Sequence, residues 1–368
     1  MEIQDKDPQS GEHRRIHFRS DGLALSPAEY ARLLARLAEN DAIAADEFSR
    51  HGVVMRLEER IAAMLGKEIA VFLPSGTLAN HLALRLLAQR GRRVLVQRES
   101  HVYNDTGDCA QQLSGLNLIP LAPGCATFEL SEVATEVARA EQGRVVTQFG
   151  VISIESPVRR VAGEVFDFAE MQRITAFARA RGIGLHLDGA RLFLAHPYTG
   201  IAPHTYAALF DTVYVSLYKY FNAAGGAVLA GSCQLLENLY HQRRMFGGGL
   251  RQAWPYAAVA LHYLEGFEDR FGRAVKTSDS LFAALREHAR CEIERSKAAT
   301  NVTRLRVHGC GAATADLPKR LLADGIAIGS PLYVSADVAE FELFTNETIL
   351  RRPVAETIEA FVKALGSG

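Results

Sequence analysis

Three short stretches of this chain combine residue types and positions that suit chemistry on a small molecule. In "PSGT" (74–77), Ser75, Gly76 and Thr77 offer hydroxyls and backbone N–H groups where a helical stretch begins. A helix N-terminus favours an anion such as phosphate. In "HLDGARLF" (186–193), Asp188 places a carboxylate at the end of the apolar run "GIGLHL". In "VYVSLYKYFNAAGG" (213–226), Lys219 places a primary amine just past another apolar run. Taken singly, each has an ordinary structural explanation: an N-cap, a turn before glycine, a surface lysine. What matters is that an anion cradle, an acid and an amine each follow an apolar run.

The elements that carry these residues alternate along the chain. "SPAEYARLLARLAEN" opens with Ser26 as a cap, Pro27 at the first helical position and Glu29 three residues after the cap, which predicts a helix start. A second amphipathic helix, "VVMRLEERIAAMLG", ends at Gly66, and the strand "IAVFL" leads through "PSGT" into the helix "LANHLALRLLAQRG". Then come "RRVLVQ", "LNLIPL", "VVTQFGVISIES", the helix "DFAEMQRITAFARARG", "IGLHLD", "DTVYVSL" and "GAVLAG". Strands alternating with helices predict a doubly wound α/β domain, placed at 26–250 behind an N-terminal arm of 1–25. From 251, long helical stretches, short strands and a closing helix predict a smaller α+β domain, 251–368.

In an open parallel sheet, ligands sit at the carboxyl ends of the strands. All three candidate groups fall at such ends. Pyridoxal phosphate needs those partners: an anion site for its phosphate, a carboxylate that keeps the pyridine nitrogen protonated, and a lysine that forms a Schiff base. Asp188 is the candidate for the pyridine nitrogen and Lys219 for the Schiff base.

Composition excludes other classes. The 368 residues are 48% hydrophobic and 23% charged, with 41 basic against 42 acidic side chains, so no electrostatic footprint for nucleic acid or an anionic membrane is visible. Cys109, Cys125, Cys233, Cys291 and Cys310 are odd in number, with no CxxC pair, which argues against a disulfide framework or a zinc knuckle and suits a reducing cytoplasm. His186 reads as a packed core histidine, and His196 and His204 have no metal-binding spacing, so no metal site is expected. The first residues lack an apolar targeting core, and no run reaches the ~20 apolar residues of a membrane span.

Across nearly its whole length the sequence resembles the threonine aldolase and β-eliminating lyase family of fold-type-I pyridoxal-phosphate enzymes. The resemblance rests on "FRSDG" (18–22), "RLEERIAAMLGKEIAVFLPSGTLAN" (56–80), "SHVYND" (100–105), "LHLDGARLF" (185–193), the segment around Lys219 and "RRMFGGGLRQ" (243–252), in that order. It implies an aspartate-aminotransferase-like large domain with a smaller C-terminal one. It also implies phosphate binding at Ser75, Gly76 and Thr77, His101 stacked on the pyridine, Asp188 at its nitrogen and Lys219 on the cofactor. By the same resemblance, Arg191 reaches the cofactor oxygen or the substrate carboxylate, Ser20 faces the substrate, and Arg251 contacts a neighbouring subunit's phosphate. The implied assembly is a homodimer or homotetramer with active sites at the subunit interface. The implied activity is cleavage of a β-hydroxy-α-amino acid to glycine and an aldehyde, with His101 or a water as base.

Several positions depart from the family pattern. Glu342 in "FELFTNE" stands where the family carries a carboxylate-binding arginine, a reversal of charge. "YKYFNAAGG" replaces "SKGLGAPVG", "ESPVR" replaces "ENTHN", and Phe48 aligns with an active-site tyrosine. Cofactor chemistry is expected to be kept and substrate recognition altered. A β-eliminating lyase, an aminotransferase or decarboxylase on the same fold, and a non-catalytic protein that keeps the fold remain the alternatives.

Overall fold

A computed structural model describes residues 15–39, 43–309 and 316–366. Cys310 and most of the expected N-terminal arm lie outside the described residues. The chain divides into two compact units: Leu25–Glu265 with Lys297–Thr300, and a smaller one holding the described residues up to Ala24, Gly266–Ser296 and the described residues from Asn301 on. In chain order, strand β1 (Ile16–His17) belongs to the smaller unit. Strands β2 (Ile69–Leu73), β3 (Arg93–Gln97), β4 (Asn117–Leu121), β5 (Phe149–Glu155), β6 (Gly184–Asp188), β7 (Thr212–Ser216) and β8 (Ala227–Gly231) belong to the larger, and β9 (Cys291–Glu294), β10 (Val302–His308), β11 (Ile326–Ala327), β12 (Tyr333–Val334) and β13 (Val338–Phe344) again to the smaller.

The larger unit is built on a seven-stranded sheet in the order β2-β8-β7-β6-β5-β3-β4. Pairings from β4 through β3, β5, β6 and β7 are parallel, whereas β8 runs antiparallel to both β7 and β2. Only β8 is reversed, so β2, β3, β5, β6 and β7 all end at the same edge of the sheet. The central strands are apolar along their length because helices cover both faces of a parallel sheet, and every residue of β5, β7 and β8 is buried.

Helix α1 (Pro27–Glu39) starts as its sequence requires: Glu29 accepts the Ser26 N–H at 2.7 Å, and Ser26 Oγ accepts the Glu29 N–H at 3.3 Å. Helix α2 (Gly52–Leu65) stops at Gly66, which adopts the left-handed conformation (φ 62°) that an L side chain resists. Helix α3 (Gly76–Leu87) follows β2 directly and packs over β6, β7 and β8.

Two boundaries differ from the sequence expectation. The larger unit extends to Glu265 instead of ending at 250, because the helix Trp254–Leu264 buries Ala257, Ala258, Val259, Ala260 and Leu264 and packs on α1 and α2. Gly266, at φ 66°, separates it from the helix Phe267–Arg286, so the helical stretch after 251 is broken between the two units. The described residues 15–24 are no free arm: β1 pairs in parallel with β11.

In the smaller unit, a four-stranded antiparallel sheet runs β12-β13-β10-β9. Ala339, Phe341 and Leu343 of β13 and Leu305 and Val307 of β10 point into the core. The alternate positions form a ladder of opposite charges, with Glu342 in register with Arg304 and Glu340 bonded to Arg306 at 2.9 Å. Among the described residues no helix is long and apolar enough to cross a membrane.

Candidate functional site

The turn after β2 is shaped by what α3 must avoid. Ser75 caps the helix, its Oγ accepting the Leu78 N–H at 3.2 Å, so this exposed hydroxyl is already engaged. Gly76 faces Tyr214 of β7 so closely that a Cβ there would lie 2.0 Å from the tyrosine Oη and 2.5 Å from Cζ. Only glycine lets the first turn of α3 sit against that ring. Ser75 and Thr77 line a pocket of about 300 Å³ with Leu78, His81, Cys109 and Gly247–Gly248. The last two come from "RRMFGGGLRQ", which is fixed to the sheet by buried Arg243: its guanidinium donates to the Phe72 and Phe48 carbonyls at 2.5 and 3.0 Å.

Asp188 ends β6 and is only 3% exposed. Its Oδ2 accepts from Asn80 Nδ2 at 2.6 Å and its Oδ1 from the Ala190 N–H at 3.1 Å, both neutral donors. Asn80 lies one turn beyond Gly76 on α3, and its Oδ1 meets His186 Nε2 at 2.9 Å. The other ring nitrogen of His186 meets Thr212 Oγ1 at 2.8 Å. Burial lowers the His186 pKa to about 4, outweighing the opposite pulls of Asp188 and of a hydrogen bond to the Thr212 backbone, so the ring is neutral. His186 is thus the core histidine the sequence suggests, and it is also two bonds away from the acid.

A second carboxylate stands beside the first. Glu155 ends β5 in register with Asp188, is fully sequestered, and accepts the N–H groups of His101 at 2.6 Å and Arg159 at 3.1 Å. Burial and then the charge of Asp188 raise its pKa. Arg191, 7% exposed at the start of the helix Leu192–Thr199, pulls it the other way. His101 begins a one-turn helix, His101–Asn104, and its Nδ1 is sealed without a hydrogen-bond partner. Lys219 lies in the loop that follows β7, its Nζ 5.7 Å from the centre of the Tyr218 ring.

The larger unit thus gathers the cradle, His101, Asp188, Arg191 and Lys219 along the one edge where its parallel strands end. Arg251 does not line the cradle pocket: it is exposed, paired with Glu47, and 5.0 Å over the Phe48 ring. Ser20 belongs to the smaller unit, is exposed, and accepts the Asn346 side-chain N–H on its carbonyl at 2.9 Å. Three side chains at this edge carry no site signal of their own in the sequence. Asn80 sat within "SGTLAN" and Glu155 within "ESPVR", where the residue types alone gave no pairing; Tyr214 carried no signal beyond strand alternation. Among the described residues no cluster of three His, Cys, Asp or Glu side chains could hold a metal ion.

The Beta-eliminating lyase family profile matches residues 17–308. Among characterised relatives, the low specificity L-threonine aldolase of Saccharomyces cerevisiae is 29% identical over 246 residues, 66% of this chain and 62% of that protein. The low-specificity L-threonine aldolase 1 of Arabidopsis thaliana is 25% identical over 313 residues, 84% of this chain and 86% of that protein. The match spans 56 to 62% of the length of several curated relatives, the yeast and Candida albicans aldolases among them. A putative L-allo-threonine aldolase from Listeria monocytogenes has the same fold with TM-score 0.78 and 25% identity, over 96% of this chain and 97% of that one. A putative aromatic amino acid beta-eliminating lyase/threonine aldolase from Exiguobacterium superposes with TM-score 0.80 over 96% and 98% of the two chains at 24% identity, a likeness of fold. A profile that covers most of the chain, on a fold-type-I architecture, places it: the chain belongs to the beta-eliminating lyase family.

Proposed function

We propose that the chain is a pyridoxal-phosphate-dependent lyase of the threonine aldolase type, which cleaves the Cα–Cβ bond of a β-hydroxy-α-amino acid to glycine and an aldehyde. The observation that carries this reading is Asp188: a buried carboxylate held by neutral donors, on the strand next to the one that leads to Lys219. Such a group suits a cationic ring nitrogen, because nothing in its immediate hydrogen bonding cancels its charge. The residues fit the cofactor in two further respects. Gly76 opens the first turn of α3, and His101 presents a ring whose Nδ1 is already withdrawn from solvent.

In this reading, Ser75, Gly76 and Thr77 hold the phosphate at the α3 N-terminus, Gly76 and Thr77 through backbone N–H groups. Asp188 would keep a proton on the ring nitrogen, and Lys219 would hold the cofactor through its Nζ. When bound, the cofactor supplies an electron-accepting ring that takes up the electron pair of the broken bond. His101 would stack on that ring and take the β-hydroxyl proton at Nε2, since its Nδ1 is buried. Arg191 would reach the cofactor oxygen or the substrate carboxylate. Arg251 is read as reaching a neighbouring subunit's phosphate in a cytoplasmic homodimer or homotetramer, after exchanging its contact with Glu47.

One experiment separates the outcomes. The purified protein, loaded with pyridoxal phosphate, is incubated with threonine, allo-threonine and phenylserine, and glycine with aldehyde is scored apart from keto acid with ammonia. Borohydride reduction and peptide mapping of the same sample locate the cofactor. The expected result is glycine release with label on Lys219. Keto acid as the main product would transfer the reading to β-elimination, and label on another lysine would overturn the cofactor assignment.

A further inference from the structure

We infer that His186 and Asn80, with Thr212 behind them, are positioning residues that orient the Asp188 carboxylate toward the cofactor's ring nitrogen; this rests on the reading of Asp188 given above. Four side chains form one line through the core: Thr212 Oγ1 to His186 Nδ1 at 2.8 Å, His186 Nε2 to Asn80 Oδ1 at 2.9 Å, and Asn80 Nδ2 to Asp188 Oδ2 at 2.6 Å. Their exposures are 0% for Thr212 and His186, 1% for Asn80 and 3% for Asp188, so water does not interrupt the line.

The chemistry of the groups sets its direction. An amide oxygen only accepts, so His186 must donate from Nε2; its Nδ1 in the neutral ring then accepts, and the hydroxyl of Thr212 donates to it. Every donor therefore points toward the carboxylate. Hydrogen bonds in such a chain polarise one another, and the last one gains most from the full negative charge at its end. The line stabilises the anion without adding a cation. An arginine or protonated histidine in the same place would also stabilise Asp188, but it would compete with the ring nitrogen for that charge.

Neutral donors also hold the second carboxylate at this edge of the sheet. Glu155 sits in register with Asp188 on β5, and two buried carboxylates this close do not both ionise readily. Glu155 receives two backbone N–H bonds; Asp188 receives one, plus the end of the polarised line. Each carboxylate thus accepts two neutral donors, and the first turn of α3 is tied to the Asp188 line because Asn80 is four residues beyond Gly76 on that helix.

The test measures cofactor binding and not turnover. Apoprotein is titrated with pyridoxal phosphate and with its 1-deaza analogue, in which C–H replaces the ring nitrogen, and the ratio of the two Kd values reports the Asp188 contact alone. A purely structural defect weakens both ligands and leaves the ratio unchanged. The wild-type ratio is expected to favour the natural cofactor by about tenfold or more, the scale of a charge-assisted bond. His186→Leu lowers the ratio to within about threefold of unity. His186→Gln, whose side-chain amide still donates to Asn80, restores most of it. Thr212→Val, at the far end of the line and less disruptive to packing, lowers it by a smaller factor and decides the matter should His186→Leu not fold. A wild-type ratio retained in His186→Leu, or in Thr212→Val if that variant alone folds, would overturn the inference. A ratio of unity already in the wild type would instead overturn the reading of Asp188 beneath it.

Discussion

His186 is fully buried between β7 and α3, and its pKa is lowered from 6.5 to about 4 because burial disfavours the charged ring. The unfolded chain therefore binds a proton near its ordinary pKa that the folded chain refuses until about pH 4. Stability from this residue is fully present above pH 6.5 and is lost as pH falls through the interval down to about 4. Between pH 8 and pH 5 the loss amounts to about 2 kcal/mol. Urea midpoints at the two pH values measure it, and in His186→Gln the difference shrinks by about that amount. His17 in the smaller unit, also lowered to about 4 chiefly by burial, acts with the same sign and is the control that should not change. The identity of these histidines was plain in the sequence, but their neutrality was not, since it comes from neighbours distant in the chain.

At the scale of elements, the turn from β2 into α3 makes two different demands on adjacent residues. Ser75 satisfies an N–H of the first turn, so Ser75→Ala is expected to cost about 1 kcal/mol, the ordinary loss of an N-cap. Gly76 has no such local role; its constraint is the Tyr214 ring, which β7 holds rigidly. Gly76→Ala must displace a buried aromatic or the helix start and is expected to cost about 1–3 kcal/mol, with a marked loss of affinity for pyridoxal phosphate. Urea denaturation of both apoproteins, followed by cofactor titration, compares the two. Equal small costs with unchanged affinity would show that the first turn of α3 tolerates a side chain. The capping residue, the strand before it and the helix after it were legible from "IAVFLPSGT", because caps and apolar periodicity are local. The partner of Gly76 was not, because it lies 138 positions further along the chain.

For the whole molecule, the proposed cofactor binds the folded chain and not the unfolded one, so it must raise stability by mass action. At a hundredfold excess over Kd the gain is about 2.7 kcal/mol. Calorimetry of apo and loaded protein is expected to show this gain in the transition of the larger unit, with a smaller gain for Asp188→Asn at the same cofactor concentration. A transition insensitive to pyridoxal phosphate would count against the cofactor reading as a whole. The sequence by itself determined the alternation of strands and helices, the caps at Ser26 and Ser75, and the order in which an anion cradle, an acid and an amine leave the strands, since each of these is written in residues a few positions apart. Only the tertiary structure decided that the strands carrying them end at one edge with β8 reversed, that Trp254–Leu264 belongs with the sheet, and that Asn80, Glu155 and His186 surround Asp188. The physical reason is that strand order, burial and the charge state of a buried acid are set by contacts between residues dozens to hundreds of positions apart, whereas periodicity and capping are settled within a turn or two of chain.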